Sequence, residues 1–549
     1  MNSKITSFLT IVILFIAFPF LYFYFLIKTN FLPLFSPQAI YPIIITLGLF
    51  LAFFVERKMR NKINEDTKHT IFVLSVAGIS LYGLFLLFMT WLRYANFISE
   101  AIDVVYFHET IWQLSEFKIP YIWTLNQILL PVWSQHFSPI LIFLTPLFWI
   151  SHSGGLLMLL QAICVITGAI PIYLIGKRIS SRMIGLAMGF AYLAFGGLQF
   201  GFAYGFHEIM FFPTLFLWMY YFYLKRDIKL YLLFLVLSLF VKEEVAFIVI
   251  FWSIYLVIIR RDRLLGVITG GLGLLWYFLC FNIIFPYFTH GKDFGYWGQY
   301  DTTYGTGILG LLKFILFKPL TFLTTLITPS LKIEMILETF GAFAFLLFLF
   351  PASIIIIFPS IMEKLLSSGI AQANGAHYSA AIAAVTIIAT FEALPRLYEY
   401  KYVKKYVNNK NVFFATLIFY CAFFSTIFFG YRGYSIIPTA HDTFYEKGLT
   451  DNNYQLLTKI ISAIPEKATV SAQYQIAPHL NKYYKNIDIW PSMTGNEDFV
   501  IIDTEMYPVL GATSQDYNNA IDKLNKNNNY ILTLNQFGIL VYRLKSFTP

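Results

Sequence analysis

Glu56-Arg57-Lys58-Met59-Arg60-Asn61-Lys62 stands between two long apolar runs, Ala39 to Val55 and Thr70 to Leu92. Runs of that length match the ~20 residues needed to cross a bilayer as a helix. Basic loops between spans stay on the cytoplasmic side. This stretch therefore fixes the orientation of both flanking helices, and the rest of the chain can be counted outward from it.

Toward the N-terminus, Ile5 to Ile27 exceeds the 7 to 15 apolar residues of a signal peptide and ends in no small-residue cleavage pattern. It is expected to remain as a first span, with the N-terminus cytoplasmic. Toward the C-terminus the run ending at Leu92 exits, so residues 93–155 form a first large external loop. Within that loop His136 to Ile150, short and carrying Pro139 and Pro146, is expected to lie in the outer interface rather than cross. The polytopic core of 156–430 then returns to the cytoplasm at Lys177-Arg178 with Arg182, at Lys225-Arg226, at Arg260-Arg261-Asp262-Arg263 and at Lys404-Lys405. Lys229 to Val241 reads as a short span, and Ile336 to Phe350 with Ala352 to Leu366 reads as a hairpin around Pro351. The count is about 13 transmembrane helices, with residues 1–92 a three-span extension leading into the core.

Composition agrees with that count. Of 549 residues 58% are hydrophobic and 13% charged, against about 45–50% and 25% in soluble domains. A water-soluble globular protein is excluded. The net charge of +9 sits in the cytoplasmic loops, so it reports topology and not affinity for nucleic acid. Cys164, Cys280 and Cys421 lie in apolar runs with no paired spacing, which argues against disulfides and a zinc site. No phosphate-binding glycine loop appears, which argues against ATP-driven transport by this chain.

Beyond Tyr431 the character changes. Asn, Lys and Asp become frequent and the apolar runs shorten to strand length: Ala468 to Ala472, Asp498 to Asp503, Tyr530 to Leu534 and Gly538 to Arg543, with helical patterns at Asn453 to Ile464 and Gln515 to Asn525. The fold class is thus an all-α polytopic membrane protein with a small extracytoplasmic α/β domain over 431–549. Its location is the plasma membrane, multi-pass.

Ionisable groups beside spans are costly and tend either to pair or to work. By the count above, Asp103 with His108 and Glu109, His136, His207-Glu208, Lys242-Glu243-Glu244 and His377 all fall on the outer face. Each has an ordinary explanation taken singly. A loop acid is solvated, a His-Glu dyad caps a helix, and a Lys flanked by two Glu is self-neutralising with its ammonium reaching the interface. Their convergence on one side favours a site. Such a cleft suits general-base catalysis and the holding of a divalent ion, magnesium or manganese. Tyr94, Trp112, Tyr121, Trp123, Trp133, Tyr296, Trp297 and Tyr300 supply interfacial anchors, with sugar stacking as a second use.

Asp103 through Trp112, Gln135-His136-Phe137-Ser138-Pro139, Gln161-Ala162 through Tyr173, Phe206-His207-Glu208, Lys242-Glu243, His377-Tyr378, Val470-Ser471-Ala472 and Pro478-His479-Leu480 follow one another in an order that resembles the membrane family of unknown function DUF2079. That family is in turn similar to the GT-C glycosyltransferases. The resemblance implies a GT-C-like many-span fold, an external active site and a polyprenyl-phosphate sugar as lipid-linked donor, with membrane lipids as surroundings. It implies Asp103 as the acidic residue of the first external loop, the catalytic base or a metal-associated acid, with the base the leading expectation. His108 and Glu109 stand where the family pattern has Asp and Gln, and His and Glu remain able to ligate a metal or relay protons. His136, His207, Glu208, Lys242, Glu243 and His377 are then the substrate-binding candidates, with Lys242 and His207 facing the donor phosphate. The leading expectation is a membrane-embedded glycosyltransferase-like protein. The alternatives are a non-catalytic transporter or lipid-handling protein lined by Lys242-Glu243-Glu244 and His207-Glu208, and an interaction protein that displays its tail from a membrane base.

Overall fold

The computed structural model describes residues 37–59, 65–97, 101–123, 129–151, 153–291, 307–368, 373–375, 377–431, 451–465, 467–473, 475–480, 487–491, 495–505 and 513–548. The run expected as a first span, and Tyr296, Trp297 and Tyr300, lie outside them. The chain opens with α1 (Pro37–Met59), α2 (Glu65–Ala95) and α3 (Ala101–Ser115), followed by a small antiparallel ribbon of β1 (Tyr121–Trp123) and β2 (Leu129–Pro131). After the 3-10 turns Val132–Ser134 and Pro139–Leu144 come α4 (Gly154–Thr167), α5 (Ala169–Ile179), α6 (Arg182–Ala194) and α7 (Gly196–Tyr204). Then follow α8 (Phe212–Lys225), α9 (Ile228–Leu239), α10 (Val245–Ile258) and α11 (Arg263–Phe278). The core closes with α12 (Gly307–Phe317), α13 (Pro319–Thr325), α14 (Ser330–Gly341), α15 (Ile354–Leu366), α16 (Ala380–Leu397) and α17 (Lys410–Tyr431).

Six helices among the described residues are long and apolar enough to cross a membrane: Pro37–Met59, His69–Ala95, Gly154–Ile179, Arg263–Phe288, Ala380–Leu397 and Lys410–Phe428. Two bent pairs raise this to eight, α6 with the start of α7 at 52° and α13 with α14 at 60°. The expected 13 is thus not reached. Part of the difference is the undescribed N-terminus. Much of the rest arises because α8, α9 and α10 are apolar but only 14, 12 and 14 residues long. The hairpin expected around Pro351 is also different: its first leg stops at Gly341, and Ala344 and Phe345 take positive φ of 53° and 55° before α15 begins. His136 to Ile150 contains only short 3-10 and α pieces, too short to span.

The helices pack around one continuous apolar core that includes Tyr192, Phe212, Trp252 and Ile387, all at most 1% exposed. α16 is buried along nearly its whole length. α5 and α6 meet through glycine, where a Cβ on Gly176 would lie 2.3 Å from the Gly185 Cα, the small-residue contact by which membrane helices approach closely. The helix ends sort into two sets. At one end Asn409 N–H donates to Glu56 Oε1 (2.9 Å), Arg178 Nε donates to Leu224 O (3.1 Å), and Arg226 pairs with Asp262. That end holds the basic clusters. The opposite ends carry the histidines and carboxylates.

The C-terminal part contains α18 (Asp451–Ala463), β3 (Val470–Ala472), β4 (Ile487–Ile489), β5 (Phe499–Asp503), α19 (Ser514–Lys526), β6 (Tyr530–Gln536) and β7 (Ile539–Leu544). These strands form a five-stranded mixed sheet in the order β4-β3-β5-β7-β6, with β3 parallel to both β4 and β5. Alternation along β3 and β5 splits the core in two. Val470, Ala472 and Ile501 face Leu457 and Ile476, while Val500 and Ile502 face Tyr517 and Leu524 of α19. The turn after β3 docks on the membrane helices. His479 stacks between Tyr94 (4.4 Å) and Phe97 (3.8 Å), and Tyr94 Oη donates to Pro478 O (3.2 Å).

Candidate functional site

Asp103 lies in the first turn of α3, His207 on the irregular link between α7 and the turn leading into α8, and His377 just before α16. Far apart in sequence, they meet at one end of the bundle. His207 Nε2 is 2.9 Å from Asp103 Oδ2, and the His207 and His377 rings lie face to face with centroids 3.3 Å apart. Phe107, one helical turn after Asp103, holds His207 edge-on at 5.1 Å. One ligand atom from each of Asp103, His207 and His377 falls within 4.8 Å of the others.

The electrostatics continue inward from His207. Its Nδ1 is 3.7 Å from Glu208 Oε2, and Glu208 Oε1 is 3.7 Å from Lys242 Nζ, which is in turn 3.9 Å from Glu244. These separations exceed hydrogen-bond length. Glu208 is fully buried, yet neither carboxylate oxygen has a hydrogen-bond partner among the described residues, nor has either ring nitrogen of His207 or Nδ1 of His377. Buried polar groups are almost always satisfied, so five such atoms gathered in one place single this end of the bundle out as a candidate polar site. Burial opposes ionisation of Glu208, but Lys242 and His207 outweigh it and hold the carboxyl down at about 2. Burial likewise opposes the charge on Lys242, and Glu244, Glu208 and Glu243 override it and push its pKa well up. For His207 the same burial is overcome by Asp103 and Glu208, so its pKa rises. His377 goes the other way: burial and the charge of His207 push it well down, leaving a neutral imidazole.

Two imidazoles and one carboxylate form a donor set suited to a divalent transition ion, and the orphaned nitrogens of His207 and His377 fit that use. Glu208 lies behind His207, 3.7 Å from its other ring nitrogen, on the side where ligating imidazoles commonly have a carboxylate.

The remaining candidates occupy different positions. Glu243 clamps the external segment: Oε1 is 2.8 Å from His136 Nδ1, and Oε2 accepts from Phe137 N–H at 3.1 Å. Beside it Ile140 N–H donates to Phe240 O (2.9 Å). His136 and Glu243 therefore stitch the interfacial turn to the α9–α10 corner. His108 is buried with its ring 5.0 Å from that of Phe148. Five residues at 100° each place His108 and Asp103 on different faces of α3, and neither His108 nor Glu109 belongs to the Asp103 cluster. Single-sequence reading passed over two contributors. Phe107 carries no signal beyond its spacing from Asp103. Gln161 does carry one, as an amide within an apolar run.

Residues 93–541 match the family described as Predicted membrane protein (DUF2079). The chain belongs to this family. The match begins at Arg93, so the family region takes in Asp103, His207, Lys242, His377 and the C-terminal sheet, while α1 and most of α2 precede it. No curated protein matches the chain. Among solved structures, ArnT from Cupriavidus metallidurans bound to undecaprenyl phosphate is similar at 10% identity and a TM-score of 0.45, covering 85% of this chain and 98% of that one. The Archaeoglobus fulgidus oligosaccharyltransferase AglB, in complex with an inhibitory peptide and a dolichol-phosphate, is similar at 12% identity and a TM-score of 0.43, covering 77% of this chain and 70% of its own. The same oligosaccharyltransferase in complex with Zn and sulfate is similar at 15% identity and a TM-score of 0.42, covering 77% and 68%.

Proposed function

We propose that this DUF2079 protein is a membrane-embedded glycosyltransferase that moves a sugar from a polyprenyl-phosphate donor to an acceptor on the outer side of the membrane. The observation that carries the reading is the Asp103–His207–His377 cluster with its orphaned buried polar atoms, next to the buried cation Lys242. An acceptor O–H or N–H attacks the anomeric carbon, the bond from that carbon to the phosphate oxygen breaks, and its electron pair leaves with the polyprenyl phosphate. Asp103 takes the acceptor proton. It is the member of the cluster that reaches solvent, its side chain being 23% exposed against 10% for His207.

His207 lies 2.9 Å from Asp103 as its charged neighbour, and a general base must be held within hydrogen-bond reach of its proton. Lys242 offers a compact positive charge to the departing phosphate, since Glu208 is 3.7 Å away and forms no hydrogen bond that would have to break. When bound, a divalent ion supplies charge neutralisation at the phosphate; Asp103, His207 and His377 would hold it. The His136–Glu243 stitch fixes the interfacial turn that borders this end of the bundle. With the basic loops cytoplasmic, this end faces outward and the C-terminal sheet stands beside it, where it meets the acceptor.

The test is transfer of radiolabelled sugar from a panel of polyprenyl-phosphate donors in membranes carrying wild-type protein or Asp103→Asn at matched expression. The expected outcome is transfer by wild type and a loss of about 100-fold or more in the variant, the size of a lost general base. An unimpaired variant, or no transfer from any donor, overturns the reading and moves a transport role for the Lys242–Glu208 path ahead of it.

A further inference from the structure

His207 sits on a stretch of chain that is neither helix nor strand, Gly205-Phe206-His207, between α7 and the turn into α8. Irregular backbone buried in a membrane protein must have its polar groups satisfied from within. One side chain does this here. Gln161 of α4 is fully buried, and its amide is used at both ends. Its Oε1 accepts from His207 N–H at 2.6 Å, and its Nε2 donates to Gly205 O at 2.9 Å and Gly201 O at 3.3 Å. The same side chain therefore closes the C-terminal end of α7 and anchors the backbone of the histidine that follows.

We infer that Gln161 is a positioning residue whose amide sets the backbone of His207 and thereby the geometry of the Asp103–His207–His377 cluster. The inference rests on the ion-binding part of the proposed function and adds the residue that builds it. Neither His207 ring nitrogen is held by a protein hydrogen bond, so ring placement depends on the backbone and on the packing of Phe107 and His377. A ligand set must be held to within about 0.5 Å. Only an amide of this length has an acceptor for His207 N–H together with a donor for the carbonyls of α7.

A second buried glutamine gives the control. Gln199 of α7 donates from Nε2 to Tyr82 Oη (2.6 Å), Thr426 Oγ1 (2.9 Å) and Leu193 O (3.2 Å). It braces the bend between α6 and α7 and makes no bond to residues 205–207. Loss of generic membrane-core hydrogen bonding would make the two glutamines equivalent.

The experiment titrates Mn2+ into full-length purified protein, read by electron paramagnetic resonance, for wild type, Gln161→Met, Gln161→Asn, Gln161→Glu and Gln199→Met. The expected result is a Kd raised about 10-fold or more in Gln161→Met and Gln161→Asn, in line with outer-shell losses at metal sites. Gln199→Met stays within about threefold of wild type, taken as the margin for an indirect effect. Gln161→Glu keeps an acceptor of the right length for His207 N–H but loses the donor to Gly205 O and Gly201 O, so it recovers only part of the affinity lost in Gln161→Asn. Wild-type binding in Gln161→Met, or equal weakening in Gln199→Met, overturns the assignment. If Gln161→Met does not fold, the other pair decides, and equal affinities for Gln161→Asn and Gln161→Glu overturn it. Absence of Mn2+ binding by wild type is instead a failure of the ion reading. His207 placement is then read by diethyl pyrocarbonate labelling, expected to be slow in wild type and Gln199→Met and fast in Gln161→Asn; equal labelling of all three refutes the role of Gln161.

Discussion

Two buried carboxylates sit at opposite ends of the same helices, and they are treated in opposite ways. Glu392, near the basic end of α16, accepts from Tyr220 Oη at 2.6 Å, from Tyr255 Oη at 2.8 Å and from Arg260 Nε at 3.1 Å, with Arg396 3.6 Å away. Glu208, on the turn entering α8, has cations at 3.7 Å and no hydrogen bond. Both are fully buried. Tyr220 belongs to α8 and Tyr255 to α10, so Glu392 ties together three helices toward the ends opposite those that begin after His207-Glu208, Lys242-Glu243-Glu244 and His377. A saturated carboxylate is a structural fastening. An unsaturated one, held ionised by Lys242, keeps its bonding capacity for a ligand.

The comparison breaks most directly at Glu392. Replacing it with Leu leaves two tyrosine hydroxyls and Arg260 without their acceptor, and removing one partner of a buried pair costs about 3 to 5 kcal/mol. Arg260 reaches water, being 28% exposed, which places the expectation at the lower end, about 3 kcal/mol. Titration of SDS into protein held in mild detergent reads this as an earlier unfolding midpoint. A variant as stable as wild type would remove the distinction between the two ends.

Glu208→Gln probes the other side. The amide has nearly the same shape and no charge; Lys242 loses one carboxylate neighbour but keeps Glu243 and Glu244, so the unfolding midpoint should move less than in Glu392→Leu. Sugar transfer and Mn2+ affinity should fall about 10- to 100-fold, the usual cost of losing the carboxylate behind a ligating histidine. A large loss of stability with transfer intact would make Glu208 a fastening like Glu392.

This contrast also sorts what the sequence makes legible. Charge pattern and hydropathy are one-dimensional signals. They suffice to recognise a polytopic membrane protein, the sheet-forming tail with its strands near 470, 500, 532 and 541, and the gathering of Asp103, His207, Lys242 and His377 at one end. The short strand Ile487–Ile489 escapes because three residues carry no period. Span count is least legible where apolar helices are short, as in α9 and α10. Contacts within the cluster are three-dimensional: the pairing of Glu243 with His136 follows from where the α9–α10 corner meets the turn that carries His136. Glu392 escapes notice because a single acid in an apolar run gives no hint of the tyrosines and arginines on other helices that surround it.

A third buried polar group, His479, tests whether an orphaned atom by itself signals a ligand site. Its Nε2 also lacks a partner among the described residues, where no carboxylate or second imidazole pairs with it, but its two faces are stacked on Tyr94 and Phe97. Burial holds its pKa down to about 3, against a small opposing contribution from a backbone hydrogen bond to Tyr94. The neutral ring is therefore part of the docking of the C-terminal sheet, and the sign of its pH dependence follows. Unfolded, the imidazole binds a proton below about 6.5, while folded it binds one only near 3. Between these values the unfolded chain holds more protons, so stability is full above 6.5 and is lost as pH falls. Going from pH 7 to pH 5 should cost about 2 kcal/mol at this position, from ~1.4 kcal/mol for each pH unit below 6.5. His479→Phe keeps a flat ring between Tyr94 and Phe97 and carries no titration, so its stability should change less by that amount over the same interval. SDS unfolding of both proteins at the two pH values measures the difference. Equal pH sensitivity would mean that His479 is reached by protons in the folded state, and its orphaned nitrogen would then have to be counted with those of His207 and His377.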